Sequence, residues 1–268
     1  MATKATTPTG MTVNGVRIHY SERGEGAPIL CIHGSSSSAV VWADAVEELA
    51  RLGRVIAYDR RGCSRSERPQ PYERTTVGEH GDDAAALLAA LADEPATVIG
   101  RSYGGAVALD LALRHPERVR ALVLLEPGAL GISAAYDAWF ERCRERVRAV
   151  AANRGPDAVA EALIGEALGE GTWDALPARL REVFTANGEA ILAEIEGGEL
   201  RADAATLAGV RQPALVVIAS DSLPEFQEVA RAIAAALPRA RVATVDGGHL
   251  IDPAGPEVLE FVAGAAGS

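Results

Sequence analysis

Aromatic side chains are scarce: three Trp, five Tyr and four Phe make up 4% of 268 residues, so any core must be built mainly from Ala, Val and Leu. Cysteine is scarcer still. Cys31, Cys63 and Cys143 are odd in number and widely separated, which excludes a disulfide framework and a thiolate metal cluster. Basic residues are outnumbered, 26 Lys and Arg against 37 Asp and Glu, and the net charge is −11. That balance excludes the broad basic face that nucleic acid or an anionic membrane requires. No uninterrupted apolar run reaches the ~18 residues of a membrane-spanning helix, and residues 1–10 are polar and Thr-rich, unlike a secretion signal. A cytoplasmic, reducing setting is therefore the default expectation. Apolar content is ample, at 48% with a mean hydropathy of +0.07. One large α/β domain with a helical insertion accounts for this length better than two independent domains.

Residues 1–10 read as a flexible tail. Asn14-Gly15 between two β-prone pieces predicts a hairpin. Short apolar runs at 29–32, 55–58, 96–99 and 119–125 have the character of buried strands, and helical patterns at 42–52, 76–91 and 104–113 separate them. From about 128 to 209 only helices are expected: 136–151, 157–168, and a third carrying Leu176, Leu180 and Phe184 on one stripe. Alternation resumes with strands at 214–218 and 242–245. The expected architecture is α/β, a mostly parallel sheet covered on both faces, with a core at 11–127 and 210–268 and a helical cap at 128–209.

Between the strand ending at Ile99 and the following helix lies Gly100-Arg101-Ser102-Tyr103-Gly104. A serine on a sharp strand-to-helix turn projects its hydroxyl above the sheet, and flanking glycines are needed because side chains would collide there. The helix N-terminus then favours negative charge developing at the same spot.

Further segments stand in matching order. His33-Gly34-Ser35 follows the early strand, and residues 59–66 read Asp-Arg-Arg-Gly-Cys-Ser-Arg-Ser. His115-Pro116-Glu117-Arg118-Val119 follows the nucleophile helix, and Gly247-Gly248-His249 follows the last strand. Over residues 11–266 the chain resembles the α/β-hydrolase fold superfamily. Ser64 departs from the pattern by replacing the second Gly of D-x-R-G-x-G-x-S. The resemblance implies that Ser102 is the nucleophile and His249 its base. It implies that backbone N–H groups of Ser35 and Tyr103 form the oxyanion hole. His33 is expected to hold loop backbone.

The acid is open between two residues. Family members usually carry it after the seventh strand as Gly-x-x-Asp; aligning Ala219 with that Gly puts Ser222 at the acid position and Asp221 one residue early. Glu126 ends the sixth strand, where a carboxylate buried without a partner would cost several kcal/mol. That placement resembles a subgroup with its acid after strand six, including fungal lactonases that open resorcylic-acid macrolactones. Glu126 is the preferred candidate and Asp221 the alternative, while Asp246 and Asp252 fit surface or capping roles.

The expected function is hydrolysis of a carboxylic ester or lactone through an acyl-enzyme. Carbon–carbon or thioester hydrolysis on the same triad, and a non-catalytic ligand-binding protein of this fold, are the alternatives. Gly34, Trp139 and Trp173 are expected substrate contacts, and Tyr136, Phe140 and Phe184 add to an aromatic cap. No cofactor or metal is implied. The expected partner is a small-molecule ester or lactone, not nucleic acid or a membrane, and a homodimer is left open.

Overall fold

The structure, a computed structural model, describes residues 9–266. Its central strands are β3 (Pro28–Ile32), β4 (Arg54–Tyr58), β5 (Ala96–Arg101), β6 (Val119–Leu125) and β7 (Ala214–Ala219). Successive side chains on a strand point to opposite faces. Leu30, Ile32, Val98, Leu122, Leu124 and Val216 thus enter one core, and Ile29, Cys31, Ile99, Val123, Leu125 and Leu215 enter another. Continuous apolar runs follow because both faces are covered.

Two antiparallel strands, β1 (Thr9–Val13) and β2 (Val16–Arg23), form one edge. Asn14 and Gly15, at φ 47° and 76°, make the tight turn between them. Thr9 and Gly10 pair with Tyr20 and His19, so strand pairing claims two residues expected in the tail. The rest of that expected tail, residues 1–8, lies outside the described residues. At the other edge stands β8 (Ala240–Val245), with Val242 54% exposed. Among the described residues the sheet has the order β1-β2-β4-β3-β5-β6-β7-β8.

Helices α1 (Ala43–Leu49) and α11 (Pro256–Ala266) pack on one face, and α2 (Val77–Leu91), α3 (Tyr103–Arg114) and α10 (Pro224–Ala236) on the other. Thr76 starts α2 with a reciprocal cap: its hydroxyl accepts the Glu79 N–H at 3.2 Å and the Glu79 carboxylate accepts the Thr76 N–H at 2.8 Å.

Between β6 and β7 run α4 (Ala134–Arg154), α5 (Val159–Leu168), α6 (Thr172–Ala175), α7 (Ala178–Ala186), α8 (Gly188–Gly197) and α9 (Ala204–Leu207). The Leu176–Leu180–Phe184 stripe does not share one helix. Leu176 is extended, at ψ 144°, because Pro177 disfavours helical backbone in the residue before it. Helices α6, α8 and α9 fall in the stretch where only helices are expected, but the sequence pattern delimits none of them. Chain order reverses around β3, which lies between β4 and β5. The crevice beyond the carboxyl ends of β3 and β5 is where ligands bind in open α/β sheets.

Candidate active site

Ser102 stands alone between β5 and α3 with φ 52° and ψ −121°, a conformation that costs a non-glycine residue of the order of 1–3 kcal/mol. The turn is held by its neighbours. The Ser102 N–H donates to the Leu125 carbonyl at 3.0 Å. A Cβ on Gly100 would lie 2.3 Å from the Gly104 carbonyl oxygen, and one on Gly104 would lie 2.2 Å from that of Ile32. Only glycine lets the strand, turn and helix approach this closely.

Glu126 follows β6 with φ 44° and is 2% exposed. Both of its carboxylate oxygens are engaged. Oε1 accepts the Ala219 N–H at 2.9 Å and the Ser222 hydroxyl at 2.5 Å, and Oε2 lies 2.6 Å from His249 Nδ1. A proton on Nδ1, donated to the carboxylate, leaves Nε2 as the acceptor nitrogen of His249. The His249 ring, 7% exposed, packs on Phe226 with centroids 4.6 Å apart. Asp221, the alternative acid, is exposed; its carboxylate accepts from the Ser220 hydroxyl and makes no bond to His249. The position aligned with the usual acid, Ser222, instead donates to Glu126.

Gly34 and Ser35 follow β3 and face Ser102; a Cβ on Gly34 would sit 3.4 Å from that of Ser102. The loop is built from beneath. Buried Arg60 donates to the His33 and Gly34 carbonyls, both at 3.0 Å. His33 accepts the Arg60 N–H at 3.0 Å, as its expected backbone-holding role requires. Burial, then the Arg60 charge, pushes His33 down to about 3, so it is neutral. From the helical segment, Asn187 donates to the Ser36 and Ser37 carbonyls at 3.1 and 2.8 Å and accepts the Ser64 N–H at 2.6 Å. Ser64, at φ 47° where the family pattern has Gly, thus gains a partner for its strained backbone. Tyr103 N–H, in the first turn of α3, has no intrahelical acceptor. Among the described residues, neither it nor the Ser35 N–H has a hydrogen-bond partner.

Ser102, His249, Gly34, Ser35 and Tyr103 line one cavity of about 880 Å³, counted out to its mouth. Its roof is apolar, with Trp139, Phe140, Phe184 and Phe226 prominent. Trp173 does not line it. On the short α6, half-buried, it packs against the outside of the core, so its expected substrate contact is not formed. Three charged residues, none of them expected as a liner from the sequence, also line the cavity. Arg101, 9% exposed, donates to the Ile251 carbonyl and stacks 5.4 Å from Trp42, with burial pulling its guanidinium down to about 10. Glu194 and Glu199 are the others, and two glutamates in a polar-looking stretch after α7 gave no signal of pointing inward. Among the described residues no group of His, Cys, Asp and Glu is arranged to hold a metal, and no helix is long and apolar enough to cross a membrane.

Comparison with known proteins agrees with this architecture. Residues 27–252 match the family model described as alpha/beta hydrolase fold. A 2-hydroxymuconate semialdehyde hydrolase from Pseudomonas sp. (strain CF600) is 44% identical over 124 residues, 44% of this chain and 42% of that protein. The chain thus spans less than half the length of the first curated relatives it matches. A candidate carbamate hydrolase, RutD of Azorhizobium caulinodans, is 30% identical over 93% of this chain and 95% of its own. Among solved structures, Est816, described as an N-acyl homoserine lactone degrading enzyme, superposes with a TM-score of 0.67 at 25% identity, covering 96% of this chain and 99% of that one.

Proposed function

The chain belongs to the α/β-hydrolase fold family, and from that premise we propose that it is a serine hydrolase cleaving a carboxylic ester or lactone through an acyl-enzyme intermediate. The observation that carries this is that a strained Ser102 and a His249 held by Glu126 at 2.6 Å line one cavity. Ser102 Oγ attacks the carbonyl carbon as its proton passes to His249 Nε2, and the carbonyl oxygen takes the negative charge. The N–H groups of Ser35 and Tyr103 stabilise that oxyanion; one such donor is worth about 3 kcal/mol in the transition state. Collapse breaks the bond to the alcohol oxygen, which leaves with the proton from His249. Water, deprotonated by the same nitrogen, then releases the acid and restores Ser102. The largely apolar cavity roof supports an acyl chain as the bound portion. The lactone case draws support from Est816 and from the position of Glu126 after β6.

Screening small alkyl esters and lactones against the wild type and Ser102→Ala tests this: turnover lost in the variant with the fold intact is the expected result. A second reading, carbon–carbon hydrolysis of a diketone on the same residues, is favoured by the 44% identity to a semialdehyde hydrolase. Turnover of a diketone with none of esters or lactones would establish it instead.

A further inference from the structure

The floor of the cavity is polar in a way the ester chemistry does not use. Glu194 on α8 is 3% exposed, and its Oε2 has no partner. Its Oε1 lies 2.7 Å from Arg60 Nη2, an ion pair without hydrogen-bond alignment. The Tyr103 ring lies under Arg60, 4.8 Å from the guanidinium, and its hydroxyl also has no partner although the residue is 3% exposed. Glu199 lines the same cavity; its carboxyl accepts the Tyr136 hydroxyl at 2.6 Å. Both groups crowd Gly128, where a Cβ would lie 2.1 Å from the Tyr136 hydroxyl. Buried polar atoms left unpaired cost about 1–3 kcal/mol each, and these belong to two residues that line one cavity.

Resting on the ester or lactone reading, we propose that Glu194 and Tyr103 bind a hydroxyl group on the acyl chain of the substrate, making the preferred substrate a hydroxyacyl ester or lactone. The chemistry selects a hydroxyl over a charged group. Arg60 and Glu194 already balance in charge, and burial pushes Glu199 up to about 7, largely uncharged below neutrality. A carboxylate would meet two carboxyl groups, and an ammonium would add an unbalanced buried charge. A hydroxyl donates to Glu194 Oε2 and accepts from the Tyr103 phenol, satisfying both atoms at once. It belongs to the acyl side because the leaving alcohol has its own way out. A second, more open cleft reaches His249 past exposed Asp221 and Leu250, 50% exposed. The acyl group, still attached to Ser102, keeps the enclosed cavity.

The test compares kcat/KM for methyl hexanoate, methyl ω-hydroxyhexanoate, methyl ω-aminohexanoate and monomethyl adipate, followed by acid release. The hydroxy ester is expected to lead the plain ester by about tenfold, the value of one hydrogen bond to a charged group. The amino and carboxylate esters should fall below the plain ester. Tyr103→Phe, which removes only an unpartnered hydroxyl, should reduce the hydroxy-to-plain ratio severalfold. A wild-type ratio of one or less, a ratio unmoved by Tyr103→Phe, or a lead for the amino or carboxylate ester would overturn the proposal. If no ester is turned over, the esterase reading fails separately, and calorimetric binding of ω-hydroxyhexanamide against hexanamide still decides the floor. Tighter binding of the hydroxy amide would support it and equal binding would refute it.

Discussion

Ser222 Oγ lies 2.5 Å from Glu126 Oε1 and donates to the carboxylate that holds His249. The serine occupies the loop position after β7 where family members usually carry the acid, and here it supports the carboxylate after β6 that faces His249. Ser222→Ala removes one of two donors to Oε1, the Ala219 N–H at 2.9 Å being the other. A hydrogen bond to a charged group is worth about 1.5–3 kcal/mol, so kcat should fall roughly tenfold or more with the melting temperature little changed. Steady-state kinetics of the purified variant checks this.

The roles of the two acid candidates separate on one pair of variants. Glu126→Gln keeps the volume but turns a carboxylate facing His249 Nδ1 into an amide, and kcat should drop by about a hundredfold or more. Asp221→Asn alters an exposed side chain bonded only to Ser220, and its effect should stay near the ~0.5 kcal/mol of an ordinary surface change. The opposite ranking of the two kcat values would return the acid role to Asp221.

Arg101 acts at one remove. Its guanidinium ties the end of β5 to the Ile251 carbonyl, two residues past His249, across 150 residues of chain. We expect Arg101→Met to lower kcat about tenfold while KM stays within about twofold, because the loop presenting His249 loosens and the cavity roof does not. A purely structural arginine would instead lower the melting temperature and leave kcat alone.

Glu199 should leave a mark on stability against pH. Burial raises it to about 7 from the ordinary 4.5, opposed by the Tyr136 hydroxyl and reinforced by the Glu194 charge. Below pH 4.5 folded and unfolded chains both hold the proton. Between there and about 7 the folded chain keeps a proton that the unfolded chain has lost, so stability falls as pH rises through this window. The shift corresponds to an upper bound on the order of 3 kcal/mol. Urea titrations at pH 5 and pH 8 should show a smaller difference for Glu199→Gln than for the wild type; equal differences would contradict the assignment.

Much of the architecture was legible because it rests on local signals. Asn14-Gly15 marks its hairpin, the apolar runs mark strands buried on both faces, and glycines at 100 and 104 mark the turn that a Cβ would break. Glu126 could be singled out from its place at the end of a buried strand. What was illegible depends on long-range contact. Nothing near Asn187 in sequence says that it holds the Ser36–Ser37 backbone, some 150 residues away. Trp173 had the composition of a pocket residue, but a four-residue helix carries it off the cavity. Glu194 and Glu199 look like solvent-facing charges until α8 and the loop after it bring them against Arg60 and Tyr136.

Activation of Ser102 as a nucleophile can be observed chemically. Intact-mass analysis after treatment with a small fluorophosphonate, followed by peptide mapping, tests it most directly. We predict a single adduct, on Ser102, lost in Ser102→Ala and formed much more slowly in Glu126→Gln. A folded protein that takes up no adduct, or takes it elsewhere, would contradict the account and leave a ligand-binding protein built on the hydrolase fold.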